Sequence, residues 1–207
     1  MKITIVSMWK CATKSTVAMI ALAGGGKPLG NPEGTVVGAR PFGIDRSLTN
    51  LQEMCAVSTS LALRQAEKAD ILHDWPCFME YQALSTAYPD MKFVLVTRDA
   101  DKWFESLMNY QHLGIRHWPL VYNKYLVGES ILCKTNRNLA IEVYRQHVKD
   151  VISYFADKPG RLLVTGGPFK DVPAAVVLEF CETPNPVIRW PYLNQSSQTP
   201  LPALPDT

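Results

Sequence analysis

No Cys-x-x-Cys pair occurs in this sequence, and no apolar run approaches the roughly twenty residues that a membrane helix requires. The five cysteines, at 11, 55, 77, 133 and 181, are odd in number and lack zinc-ligand spacing, which excludes a fully paired disulfide scaffold and fits a reduced, cytoplasmic protein. Four scattered histidines supply no metal site, so no metal is expected. Charge is scarce in both signs: 21 Lys and Arg against 19 Asp and Glu leave a net +2. That excludes a broad surface of the kind that holds nucleic acid by phosphate neutralisation, and any bound anion must be gripped locally. What the chain does have is apolar content, 47% of its 207 residues, enough to bury a real core. Lys10 and Lys14 ahead of the apolar run Val17 to Ala23 loosely imitate a secretory leader, but the β-branched run at Ile3 to Val6 argues for a strand, a turn and a buried helix.

Apolar periodicity divides the rest. Residues 24 to 43 hold seven of twelve glycines and three prolines, and read as loop or short hairpin. From Ser47 onward Leu51, Met54, Cys55, Leu61 and Ala62 share a helical face, with Asn50 and Glu53 spaced as a capping box. Asp70 to Leu72 is a short strand, and Phe78, Tyr81, Leu84 and Tyr88 mark a helix stopped by Pro89. Phe93 to Thr97 is continuously apolar, as a strand covered on both faces must be. Asp99 then caps a helix with the stripe Trp103, Phe104, Leu107 and Met108. Residues 111 to 133 are aromatic and weakly periodic. Leu139, Val143, Val148, Val151, Ile152 and Phe155 describe a long amphipathic helix, Arg161 to Thr165 another buried strand, and Asp171 with Pro173 opens a last helix through Val176, Val177 and Phe180. From Pro184 on come six of the fifteen prolines, so a single domain over 1–194 with a Pro-rich tail at 195–207 is expected.

Strands alternating with helices predict an α/β three-layer sandwich around a central parallel sheet, with ligands at the carboxyl ends of the strands. Three loops lie there: Ser7 to Ser15, His73 to Pro76, and Arg98 with the helix after it. The first combines Lys10, Thr13, Lys14 and Ser15 with the small Ala12 at a helix start, a composition suited to phosphate. It is not a Walker A loop, because Met8 and Thr13 occupy the glycine positions. A plainer reading makes Thr13 or Ser15 a helix cap and leaves the lysines solvated. In the third loop Arg98 precedes Ser106 by eight residues, about two helical turns, so both can face one crevice and grip a second phosphate; the alternative is an ion-paired arginine and an ordinary helical serine.

These residues resemble the sulfotransferases that use 3′-phosphoadenosine 5′-phosphosulfate (PAPS). The family's first loop, K-[ST/C]-[GA]-T-[TK]-[ST], matches Lys10 to Ser15 with Ala12 in the usual glycine place. Its 3′-phosphate phrase, like YPdaKfvltvRdpexWyxS, matches Tyr88-Pro89-Asp90-Met91-Lys92-Phe93, Thr97-Arg98-Asp99 and Trp103-Phe104-Glu105-Ser106. The ending is similar too, with RLLV at 161 to 164, EFCE at 179 to 182 and Trp190-Pro191-Tyr192-Leu193-Asn194; residues 24 to 68 carry no likeness.

The resemblance implies a P-loop nucleotide-kinase-like sulfotransferase fold. It implies that Ala12, Thr13, Lys14 and Ser15 cradle the 5′-phosphosulfate, that Lys10 both binds there and neutralises charge on the departing bridging oxygen, and that Arg98 and Ser106 hold the 3′-phosphate. An in-line transfer also needs a base. The family places a His or an acidic residue before x-P, a register that favours Asp74 over its neighbour His73 in His73-Asp74-Trp75-Pro76. Either residue could instead be structural, as a helix cap or a hydrogen-bonded imidazole. Gly166 to Lys170 is a weaker candidate for covering the nucleotide, Trp9 for stacking, and His112, His117, Trp118 and Tyr122 for an acceptor pocket. The expected partner is a small-molecule acceptor, with no nucleic acid and no membrane span. At 207 residues the chain is lean for the family, so an acceptor site that is open, or completed by a second subunit in a homodimer, is a further expectation. Competing functions are a nucleotide or small-molecule kinase with a degenerate phosphate loop, and a non-catalytic nucleotide-binding module.

Overall fold

The computed structural model describes residues 1–29, 51–111, 128, 134–166 and 173–185. Four parallel strands run β1 (Ile3–Ile5), β2 (Ile71–Leu72), β3 (Lys92–Thr97) and β4 (Leu162–Gly166), in the spatial order β2-β1-β3-β4. Between and after them come α1 (Thr13–Leu22), α2 (Leu51–Lys68), α3 (Tyr81–Ala87), α4 (Ala100–Gln111), α5 (Arg137–Phe155) and α6 (Ala174–Phe180), with a 3-10 turn at Lys134–Asn136.

Period-two alternation along the strands divides the core into two layers. Ile3 and Ile5 with Val94 and Val96 face one way, packing with Val17 and Ile20 of α1, Trp103 and Leu107 of α4, and Val177 and Leu178 of α6. Phe93 and Leu95 face the other, against Ala62 and Ala66 of α2, Leu84 of α3, and Val151 and Phe155 of α5. The result is the α/β sandwich with helices on both faces. Each fully buried apolar side chain of β3 contributes roughly 1.5–3 kcal/mol, so this six-residue strand anchors both layers.

Order explains where a ligand site must fall. The chain leaves β1 toward β2 on one side, and leaves β3 toward β4 on the other. The crevice between the carboxyl ends of β1 and β3 is therefore the topological switch point.

Several expectations shift. On α5, Val151 and Phe155 are buried as expected and Val143 and Val148 pack against the core, but Leu139 and Ile152 are 47% and 43% exposed, and Ala140, Ile141, Tyr144 and His147 complete the buried face. Two polar aromatics turn inward because the strand ends beneath them need hydrogen-bond partners. On α2, Cys55 is exposed, and the buried side is lined by Ser58, Leu61, Ala62, Gln65 and Ala66. Leu22 and Val176 are likewise exposed. Phe78 precedes α3 rather than lying on it, held by a turn in which its amide donates to the Asp74 carbonyl. Within the glycine-rich stretch, Pro28 forms a parallel bridge with Ile71, and the Leu29 amide donates to the Ile71 carbonyl at 2.8 Å. Residues 30–50, 112–127, 129–133, 167–172 and 186–207, and the expectations that fall on them, lie outside the described residues. Among the described residues no helix is long and apolar enough to cross a membrane.

Candidate active site

The site begins where β1 ends. Val6 still donates its amide to Val94, and Ser7 then substitutes its side chain for backbone, with Oγ accepting the Val96 N–H at 2.6 Å. The main chain is thereby released from the sheet into the loop that reaches α1. Within this loop Lys10 and Ala12 both adopt the left-handed region, at φ 68° and 59°, and Asp74 in the second loop does so at φ 60°. Three of the four described non-glycine residues with positive φ thus lie in loops at the carboxyl ends of strands, where strain accompanies function more often than elsewhere.

Ala12 is the N-cap residue of α1, and no side-chain hydrogen bond caps this helix. The first intrahelical bond runs from the Thr16 amide to the Ala12 carbonyl at 3.0 Å, with Thr16 Oγ1 on the same carbonyl. Neither Thr13 nor Ser15 is the cap, so the plainer reading of those hydroxyls does not describe the helix start. The first-turn amides point outward along the axis, the first turn contains no acidic residue, and the positive end of the helix dipole is directed into the crevice.

Cations gather at the same place. Arg98, one residue beyond β3, donates from Nη1 to the Lys10 carbonyl at 3.2 Å. The Lys10 ammonium is held below the ordinary lysine value, first by burial and then by repulsion from Lys14 and Arg98. Three positive groups that repel one another in this way are stabilised by an anion among them.

The second loop closes the other side. Thr13 and Lys14 of the first loop both favour the ionised form of the Asp74 carboxylate. His73 Nδ1 stands 3.0 Å from Asp74 Oδ2, while Nε2 stands 2.8 Å from the Leu29 carbonyl. Nε2 donates to that carbonyl, whereas Nδ1 lies within ion-pair distance of the carboxylate without the geometry of a hydrogen bond. Burial opposes charge on each member of the pair. Even so, attraction to Asp74 and the hydrogen bond to the Leu29 carbonyl hold His73 above its ordinary value, and attraction to His73, with Lys14 and Thr13, holds Asp74 below its own. Each of the two thus favours the charged form of the other.

Lys10, Thr13, Lys14, His73, Asp74 and Arg98 are therefore brought together, with Ala12 and Ser15 at the helix start between them. Ser106 lies buried about two turns into α4, and its hydroxyl makes no hydrogen bond to a described residue; only the helix links it to Arg98. Asp99 caps that helix, its Oδ1 accepting the Lys102 amide at 3.0 Å. Trp9 packs at the edge of the first core layer, and its carbonyl accepts the Trp103 indole N–H at 2.8 Å. Sequence reasoning missed the straps from α5. The Tyr144 hydroxyl bonds the Arg98 main chain, and His147 Nε2 donates to the Val6 carbonyl at 2.7 Å. The available signal was that a tyrosine or histidine on a core-facing stripe must find a polar partner. His112, His117, Trp118 and Tyr122 lie outside the described residues.

A family described as the sulfotransferase domain matches residues 2–199, nearly the whole chain. The chain belongs to the sulfotransferase family. No curated protein matches it. As a member of that family this sulfotransferase is a transferase whose chemistry is movement of a sulfuryl group, and its crevice between β1 and β3 lies within the matched region.

Proposed function

We propose that this sulfotransferase takes its sulfuryl group from PAPS and passes it in line to a hydroxyl or amine of a small acceptor. The observation that carries the reading is the convergence of Lys10, Lys14 and Arg98 on the outward-pointing first turn of α1, opposite an ionised Asp74. PAPS has anionic groups at both ends of its ribose and supplies an activated sulfuryl group. The start of α1, with Ala12, Thr13, Lys14 and Ser15, suits the 5′-phosphosulfate. Arg98 and Ser106, at the mouth of β3, suit the 3′-phosphate that distinguishes this donor from ATP.

Catalysis in this reading is electrostatic. Lys10 stabilises the charge that grows on the bridging oxygen as the S–O bond lengthens, and Asp74 accepts the proton of the attacking hydroxyl. The engagement of His73 supports Asp74 as the base: its Nε2 is committed to the Leu29 carbonyl and its Nδ1 faces the carboxylate, so the imidazole is placed to orient Asp74.

Thermal-shift titration tests donor identity. 3′,5′-Adenosine bisphosphate at one hundred times its Kd, without Mg²⁺, is expected to stabilise the protein by about 2.7 kcal/mol. A response to Mg-ATP alone overturns the reading in favour of a kinase. Lys10→Ala is expected to lower kcat by about 10²–10³ while weakening nucleotide binding far less. Wild-type protein that binds the bisphosphate yet transfers nothing to a broad panel of acceptors is a binding module instead. An Asp74→Asn variant with unchanged kcat removes Asp74 from the chemistry.

A further inference from the structure

We propose that Tyr144 is a positioning residue of the nucleotide site, locking the main chain of Arg98 so that its guanidinium is presented to a 3′-phosphate; this rests on the PAPS reading above. The hydroxyl accepts the Arg98 amide N–H at 2.8 Å and donates to the Arg98 carbonyl at 3.0 Å. Its remaining lone pair faces the Cys11 thiol of the first loop at 3.8 Å. A phenol has one proton and two acceptor positions, so its hydrogen-bonding capacity is committed entirely to the two loops of the crevice.

Burial keeps it protonated, its acidity suppressed well beyond the ordinary tyrosine value, and the donor role is retained at any working pH. The ring is held independently, stacked on Trp103 at 4.5 Å between centroids and 18° between planes. Trp103 in turn donates to the Trp9 carbonyl. One aromatic pair, from α4 and α5, thus fastens β1's loop and β3's exit to each other. Arg98 completes the link through the Lys10 carbonyl. A hydroxyl bridging both the N–H and the C=O of one residue fixes the peptide planes on either side of it, and with them the direction in which that side chain leaves the backbone.

Tyr144→Phe tests this, since it keeps the stacked ring and deletes a single oxygen. The readout is the ratio of Kd for 5′-AMP to Kd for 3′,5′-adenosine bisphosphate, measured by calorimetry on each protein. Loss of folded material enters both constants equally and cancels in the ratio, so a packing role alone does not move it. We expect the wild type to prefer the bisphosphate, Arg98→Ala to abolish that preference, and Tyr144→Phe to reduce it about tenfold while 5′-AMP affinity stays within about twofold. A wild-type preference that survives intact in Tyr144→Phe overturns the positioning role and leaves the PAPS reading standing. Equal wild-type affinities for the two nucleotides overturn that reading, and the role of Tyr144 with it.

Discussion

Ala12 sits at φ 59°, where a β-carbon meets the following carbonyl and glycine is the ordinary solution. Ala12→Gly is expected to leave the fold intact and stabilise it by up to about 1 kcal/mol, the relief of left-handed strain being partly offset by the freedom glycine gains in the unfolded chain. A drop in melting temperature contradicts this. Asp74 and His73 make a second prediction at this scale. Asp74 is held below its ordinary value, so its contribution is complete above about pH 4 and is lost as pH falls through the folded value. His73 is held above its ordinary value, so its contribution is complete below about pH 6.5 and is lost as pH rises through the folded value. The pair stabilises most between those limits. The melting-temperature gap between wild type and Asp74→Asn is therefore widest near pH 5 to 6 and narrows above the raised His73 value. A gap of constant size across that range removes the ion pair as its cause.

At the scale of elements, β3 was legible because a continuous apolar, β-branched run has few alternatives, and α4 because Asp99 and the Trp103 stripe agree on one phase. Helix α5 was recognised as a helix, and Val143, Val148, Val151 and Phe155 do face the core, but Leu139 and Ile152 do not, and the buried stripe is centred on Tyr144 and His147. Its apolar residues mark more than one stripe, and the choice between them was made by the strand ends, which required Tyr144 and His147 inward. Ser7 was invisible for a similar reason: a lone serine after a strand has no pattern, and its role exists only because the Val96 amide comes to face it. Ser7→Ala leaves that buried N–H without its acceptor and is expected to cost about 1–3 kcal/mol in urea unfolding, with an unchanged m-value. A loss under about 0.5 kcal/mol means that another acceptor replaces it.

Over the whole molecule, a net charge of +2 conceals three cations close enough for Lys14 and Arg98 to depress Lys10. Binding of 3′,5′-adenosine bisphosphate is therefore expected to weaken as salt rises from about 0.05 to 0.5 M, since screening at the higher concentration reaches in to about 4 Å. A salt-independent Kd contradicts a site built on these charges. The same cluster predicts that affinity falls with rising pH, beginning below the ordinary lysine range, as Lys10 loses its proton.

By itself the sequence determined the alternation of strands and helices, the short buried strands, and the residue types at the three strand-end loops. These are local properties, carried by periodicity, punctuation and spacing along the chain. The tertiary structure decided what no local pattern can carry. The order β2-β1-β3-β4 opens a crevice between β1 and β3, Thr13 meets Asp74 across 61 residues of chain, and Tyr144 meets Arg98 across 46. Such contacts arise from the packing of helices onto a twisted sheet, and the sequence encodes them only through the fold as a whole.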